Sequence, residues 1–224
     1  MISVMNQKNN NNNNMPLVVG ILIFDQVELL DVAGPFEVFS TTHFVNEQSK
    51  NKKESSSSSP AFRVMLVAEK IDQILTIGGL RLSPDVSFGT CPKLDLLIVP
   101  GGWGTRKEVK NDNLVKWIAS KSADTKITAS VCTGSSLLGK AGLLDGREST
   151  THFQAFDFLR QSAPNTKIRE DVLFTLTEPV FTSAGVSAGI DLALCIVSHF
   201  LGTEVGMATA RHMEYPYPQN NKRR

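Results

Sequence analysis

The chain has 224 residues, with 23 Lys and Arg against 22 Asp and Glu and a formal net charge of +1. That length bounds the fold at one or two domains and suffices to bury a core without a metal or disulfide staple. The even charge balance argues against an electrostatic nucleic-acid binder, no apolar run can span a bilayer, and three cysteines cannot close a disulfide framework, which favours a reducing, cytoplasmic setting.

In chain order, residues 1–14 end in a pure Asn run and read as a disordered leader, lacking the apolar stretch of a signal peptide. Leu17–Phe24 is nearly all apolar and β-branched, as a strand buried on both faces requires. Asp31 to Phe44 carries apolar residues at helical spacing, with Pro35 near the first turn. Residues 46–60, with five consecutive serines, bury too little apolar surface to order themselves and read as a flexible insertion in one domain spanning 15–217. Phe62–Ala68 is a second strand, and Ile74–Leu82 a hairpin turning at Gly78-Gly79. Leu94–Pro100 is a third inner strand, followed by a helix marked by Leu114, Trp117 and Ile118. Ile127–Val131 is a strand, and Ser135–Ala141 and Phe153–Gln161 are helices, the last with Phe153, Phe156 and Leu159 as its apolar side. Val172–Leu176 and Val180–Thr182 are strands, and Ile190–Phe200 and Thr203–His212 are helices. The tail 218–224, with Lys222-Arg223-Arg224, reads as solvated. Strands alternating with helices predict a doubly wound α/β fold, a mostly parallel sheet with helices on both faces.

One junction carries chemistry. The strand Ile127–Val131 runs directly into Cys132-Thr133-Gly134 and then into a helix. Such a strand–nucleophile–helix elbow presents a reactive atom at the carboxyl edge of a sheet, where ligands bind in open α/β folds. A Cys at a helix N-terminus also has its thiolate favoured by unpaired N–H groups. A small buried core thiol is the alternative, and the local pattern does not separate the two. Pro100-Gly101-Gly102 ends another inner strand at the same edge, so its backbone N–H groups are candidates for an oxyanion hole; an ordinary Gly-rich turn is the other reading. Asp31 is either a helix N-cap or an acid facing the sulfur. Cys91, in a loop, and Cys195, in an apolar helix, have bland readings, Cys195 as a buried core thiol. Nothing resembles a metal-ligand spacing or a phosphate loop, so no metal and no cofactor are expected.

Five ordered stretches carry a resemblance. Leu30-Asp-Val-Ala-Gly-Pro35, Val99-Pro-Gly-Gly102, Ser130-Val-Cys-Thr-Gly134, Gly146-Arg-Glu-Ser-Thr-Thr-His-Phe153 and Thr182-Ser-Ala-Gly-Val-Ser-Ala-Gly-Ile-Asp191 resemble the ThiJ/PfpI superfamily, whose fold is that of type I glutamine amidotransferases. The Asp-x-x-Gly-Pro form of the first motif, with Cys-Thr-Gly at the elbow, is similar to the isonitrile hydratase branch, itself similar to the ligand-binding half of certain AraC-type regulators. The resemblance implies Cys132 as nucleophile, Asp31 as acidic partner and Thr133 as a neighbour needed for the reaction. It leaves His152 either catalytic or pocket-lining, places Trp103 at the pocket mouth or over the core, and puts Gly185 in the far wall. The implied reaction is hydration of an isonitrile to an N-substituted formamide through a thioimidate on Cys132, by a homodimer acting on a small molecule, without nucleic acid or membrane. The rivals are another Cys-dependent hydrolase, glyoxalase or deglycase of the same fold, and a non-catalytic redox-sensing or ligand-binding protein.

Overall fold

The computed structural model describes residues 15–43, 60–217 and 220–223. The Asn-rich leader, all but the last residue of the Ser-rich insertion, and residues 218, 219 and 224 of the tail lie outside the described residues. The first half of the chain runs β1 (Leu17–Leu22), α1 (Leu29–Thr41), β2 (Phe62–Ala68), β3 (Ile74–Leu75), β4 (Arg81–Leu82), β5 (Val86–Ser87), β6 (Leu96–Val99), α2 (Thr105–Glu108) and α3 (Asp112–Ala123). The second half runs β7 (Ile127–Ser130), α4 (Gly134–Lys140), β8 (Glu148–Ser149), α5 (Phe156–Ser162), β9 (Lys167–Ile168), β10 (Phe174–Thr177), β11 (Val180–Ser183), α6 (Ala188–Leu201) and α7 (Thr203–His212).

Seven strands form the central sheet in the order β10-β11-β7-β6-β1-β2-β5. Every neighbouring pair is parallel except β10 with β11. The inner strands β6 and β7 are buried along their whole length, because helices cover both faces and leave no solvent side for a polar residue. Helices α1, α6 and α7 pack against one another, and α2, α3 and α5 gather around α4. The chain leaves β1 toward β2 on one side and returns to β6 on the other. The carboxyl ends of β1 and β6 therefore diverge, and a crevice opens where ligands bind in such folds.

The doubly wound expectation and the β3–β4 hairpin are as observed, the latter pairing Ile74 with Leu82. Other readings need correction. Helix α1 begins at Leu29, so Pro35 lies well inside it and Asp31 is within its first turn rather than at its N-cap, which is Glu28. Phe153 opens a 3-10 turn, Phe153–Ala155, and is 61% exposed instead of facing the core. Cys195 is only partly buried, packed against the margin of the core with the Tyr217 hydroxyl beside it. The described part of the basic tail is only partly solvated: Lys222 is exposed but its backbone forms a bridge with Val172, and Arg223 is half-buried and bonded to the 150–151 loop.

Candidate active site

The site is assembled at the carboxyl ends of β1, β6 and β7. Strand β7 delivers Cys132 two residues after its last member, and the chain must turn at once into α4. Cys132 accordingly adopts φ +56, a left-handed conformation that is costly for a residue with a Cβ. Its backbone is fastened on both sides. The Cys132 N–H donates to Ala184 O at 3.1 Å, and its carbonyl accepts the hydroxyls of Thr151 at 2.9 Å and Ser135 at 3.1 Å. The turn leaves Cys132 only 7% exposed, at the floor of a pocket of about 190 Å³.

Asp31 comes to the same floor from the first turn of α1 and is fully buried. Its Oδ2 accepts the Gly101 N–H at 2.8 Å, while Oδ1 has no conventional hydrogen-bond partner. The Cys132 thiol is its side-chain neighbour. Burial pushes the Asp31 carboxyl up to about 8; the Gly101 N–H opposes this, the Glu28 carboxylate adds to it, and Cys132 and the Val186 N–H oppose it further. The net direction favours the neutral acid form of Asp31. Burial likewise pushes the Cys132 thiol far up, and the charge of Asp31 reinforces the effect. The N–H groups of Thr133 and Val186 and the Thr133 hydroxyl pull it down without prevailing. The helix N-terminus does favour the thiolate through its N–H groups, as expected, but desolvation outweighs these few donors.

Thr133 faces the glycines. Its Oγ1 accepts the Gly102 N–H at 3.0 Å and lies 3.1 Å from Thr105 Oγ1, which also reaches Gly102 O at 2.7 Å. The N–H groups of Gly101 and Gly102, read as candidate oxyanion donors, are engaged here by Asp31 and Thr133, while Gly102 itself lines the pocket. What the glycines supply is closeness. A Cβ on Gly101 would stand 2.5 Å from the Thr133 nitrogen and 2.9 Å from Asp31 Oδ2, so any side chain would drive the acid and the elbow apart. The donors left to face the sulfur are the N–H groups of Thr133 and Val186.

The walls are Glu28, Ile77, Gly102, Trp103, Arg106, His152, Gln154, Ala155 and Val186. Trp103 stands at the mouth, 64% exposed, with the Arg106 guanidinium 4.5 Å from its ring centre. His152 lines the pocket without a hydrogen bond to Cys132; its Nδ1 accepts the Gln154 N–H at 3.3 Å. Burial lowers the His152 pKa, the positive charges of Arg223 and Arg106 lower it further, and Glu28 opposes them. Gly185 does not line the pocket but backs the His152 ring, which a Cβ would approach to 2.1 Å from Cδ2. Sequence reasoning did not single out Glu28, Arg106, Thr151 or Val186. Val186, a β-branched residue at φ +52, is legible only once the backbone is seen. Among the described residues, no three His, Cys, Asp or Glu side chains gather as a metal site, and no helix is long and apolar enough to cross a membrane.

Comparison with known proteins places the fold in a family. The chain is 32% identical to the isonitrile hydratase of Pseudomonas putida over 90% of its own length and 79% of that protein. It is 25% identical to the HTH-type transcriptional regulator GbdR of Pseudomonas aeruginosa, over 94% of this chain but 54% of the regulator. Among solved structures, a ThiJ/PfpI family protein from Pseudomonas syringae superimposes with a TM-score of 0.76 at 27% identity, covering 92% of this chain and 78% of the other. Residues 18–199, from β1 to near the end of α6, match the DJ-1/PfpI family, and the chain belongs to it.

Proposed function

We propose that the protein is an enzyme that hydrates an isonitrile, R–N≡C, to the N-substituted formamide. The observation that carries this reading is the buried pair itself: a carboxyl group held neutral, one oxygen unengaged, beside a buried thiol. Similarity to a hydratase of this class supports it.

An isonitrile carbon needs a soft nucleophile and a proton, and the pair supplies both. The Cys132 sulfur bonds to the terminal carbon. The thiol proton passes to one Asp31 oxygen as the carboxyl proton goes to that carbon, giving R–N=CH–S–Cys132. Because Asp31 starts neutral, the relay never creates two anions in a dry site. Water then adds to the imidate carbon: one Asp31 oxygen takes the water proton as the carboxyl proton passes to the nitrogen, giving R–NH–CH(OH)–S–Cys132, and the C–S bond breaks as the hydroxyl proton returns to sulfur through the same carboxyl. The thiol is restored and R–NH–CHO leaves. The N–H groups of Thr133 and Val186 stabilise negative charge on sulfur as it develops, and Thr133 holds Gly102 against the elbow. A pocket of about 190 Å³ with Ile77, Trp103 and Val186 in its walls suits a small substrate whose R group is partly apolar.

The test is formamide production from a panel of isonitriles by wild type, Cys132→Ala and Asp31→Ala. Wild type inert toward every isonitrile would remove the activity. The regulator similarity supports a second reading, a non-catalytic ligand-binding domain. Tight ligand binding that survives Cys132→Ala, with no turnover by wild type, would favour it. A further part of the proposal is a homodimer in a reducing, cytoplasmic setting. It is supported by the free state of all three cysteines and by the exposed apolar residues Ile71, Leu75, Ile77 and Leu80 around the β3–β4 hairpin. Analytical ultracentrifugation reads the oligomeric state directly.

A further inference from the structure

The segment 220–223 does more than lie on the surface. It runs antiparallel to the stretch leading into β10, the outermost strand of the sheet. Lys222 bridges Val172, the Leu173 N–H donates to Asn221 O at 3.2 Å, and the Arg223 N–H donates to Asp171 O at 2.9 Å. The Asn221 side chain completes the seam, accepting the Phe174 N–H at 3.0 Å and donating to Phe174 O at 2.7 Å. An edge strand invites such cover, and cover alone would explain a short paired segment.

Arg223 goes further than cover requires. Its Nε donates to Glu170 O at 2.9 Å, and its Nη2 reaches Thr150 Oγ1 and Thr151 O, both at 2.9 Å. The guanidinium also lies 5.1 Å from the centre of the Phe156 ring. Thr150 and Thr151 are fully buried, and Thr151 Oγ1 is one of the two donors, with Ser135 Oγ, that fasten the carbonyl of Cys132. The next residue, His152, is a wall of the pocket. Three consecutive residues therefore link one arginine to the strained elbow and to the substrate wall.

We propose that residues 220–223 form a strap that completes the active site, with Arg223 as a positioning residue that acts through Thr151 on Cys132 and through the 150–152 loop on His152. The planar fork of arginine suits this task, because it holds two acceptors on one loop and a third on the Glu170 carbonyl at fixed angles. The inference rests on the reading of Cys132 as the reacting group, but two of its readouts need no isonitrile.

The test uses the full chain. In Arg223→Gln, alkylation of Cys132 by iodoacetamide, followed by peptide mass spectrometry, is expected to rise at least about threefold as the elbow loosens. The His152 titration midpoint, followed by NMR and assigned with His152→Gln, is expected to move upward once a nearby positive charge is gone. Charges facing that ring come from Arg223, Arg106 and Glu28, so the other two stay constant. Arg223→Lys keeps the charge and returns the midpoint toward wild type, a rescue that mere edge cover would not produce. Should Arg223→Gln fail to fold, Thr151→Val removes the Thr151 bond to Cys132 and is expected to raise alkylation with the His152 midpoint unmoved. With an isonitrile, Arg223→Gln is expected to raise KM several-fold and lower kcat less. Unchanged alkylation and an unchanged His152 midpoint in a folded Arg223→Gln would overturn the strap. Absence of isonitrile turnover in wild type would overturn only the substrate reading.

Discussion

Two buried aspartates sit at matching places in this fold, each in the first turn of a long helix and each with a cysteine nearby. Asp31 opens α1 beside Cys132, and Asp191 opens α6, four residues before Cys195. Both carboxyl groups are fully buried. Their surroundings differ. Tyr215 donates its hydroxyl to Asp191 Oδ1 at 3.0 Å, and Cys195 interacts with the Tyr217 hydroxyl. Cys195 is also in the middle of a helix, where the backbone N–H groups around it are spent on helical bonds. Cys132 stands where a strand has ended and a helix has not closed its first turn, so N–H groups remain for the sulfur. Burial raises both thiols, Cys195 to about 11. Only at Cys132 are an unengaged carboxyl oxygen and a pocket also present. Acid and thiol in proximity do not make a site; open donors and an accessible cavity do.

The sharpest way to break this comparison is to remove each thiol in turn. Cys132→Ala is expected to lower formamide production by at least about a thousandfold, since no other group forms the covalent bond. Cys195→Ala is expected to stay within about twofold of wild type. Equal losses would show that the difference between the two neighbourhoods has been misread.

The acids come next. Asp31→Asn is expected to reduce kcat by about 10²- to 10⁴-fold, the range for loss of a positioned proton donor. It is also expected to stabilise the fold. The Asp31 pKa is raised from 3.8 unfolded to about 8 folded, so the folded protein binds the extra proton between those values. Stability from this residue is intact below about pH 4 and declines as pH rises toward 8. The Asn variant escapes that decline, and its advantage in melting temperature should be largest near pH 8 and vanish near pH 4. Asp191→Asn should instead leave kcat within about threefold and cost about 1–3 kcal/mol through its weakened buried hydrogen bond. Urea titrations at three pH values, beside initial rates, separate the two.

The same ionisation predicts a smaller effect in the unmodified protein. In the proposed mechanism turnover uses the acid form of Asp31, so kcat should fall about tenfold per pH unit above about 8. A profile flat to pH 10 would mean that Asp31 is not the proton donor.

How much of this was legible in the sequence follows from what kind of group carries each feature. Leu17–Leu22 and Leu96–Val99 were readable as inner strands, because burial on both faces forces a nearly unbroken apolar run, whereas Ile127–Ser130 is equally buried but carries Thr128 and Ser130. Cys132 was marked by its abrupt strand-to-helix setting. Asp31 was marked by the motif around it, and its place inside α1 rather than at the cap awaited the backbone. The donors of the site were not legible, since a backbone N–H has no residue type. The N–H groups of Gly101 and Gly102 were read as candidate open donors because the sequence cannot tell which acceptor a given N–H meets, and here the acceptors are Asp31 and Thr133. Two-residue strands such as β8 and β9 carry no period to detect. Arg223 lies 72 residues from Thr151 in the chain, and a terminal basic run has the composition of a solvated tail.

The smallest expected effect returns to the pocket wall. A Cβ on Gly185 would come within 2.1 Å of His152 Cδ2, so Gly185→Ala must displace that ring. The backbone of Gly185 is not left-handed, and the cost is steric contact with one movable side chain. We expect KM to rise about threefold with kcat changed less, since the wall moves and the Cys132–Asp31 pair does not. Gly142 is the control. Its φ of +76 penalises any side chain, yet a Cβ there would meet nothing within 4 Å. Gly142→Ala should therefore cost about 1 kcal/mol of stability and leave KM unaltered. A KM that rises in Gly185→Ala alone would make His152 a surface the substrate touches; equal values in both variants would make it a residue that only closes the fold beside the site.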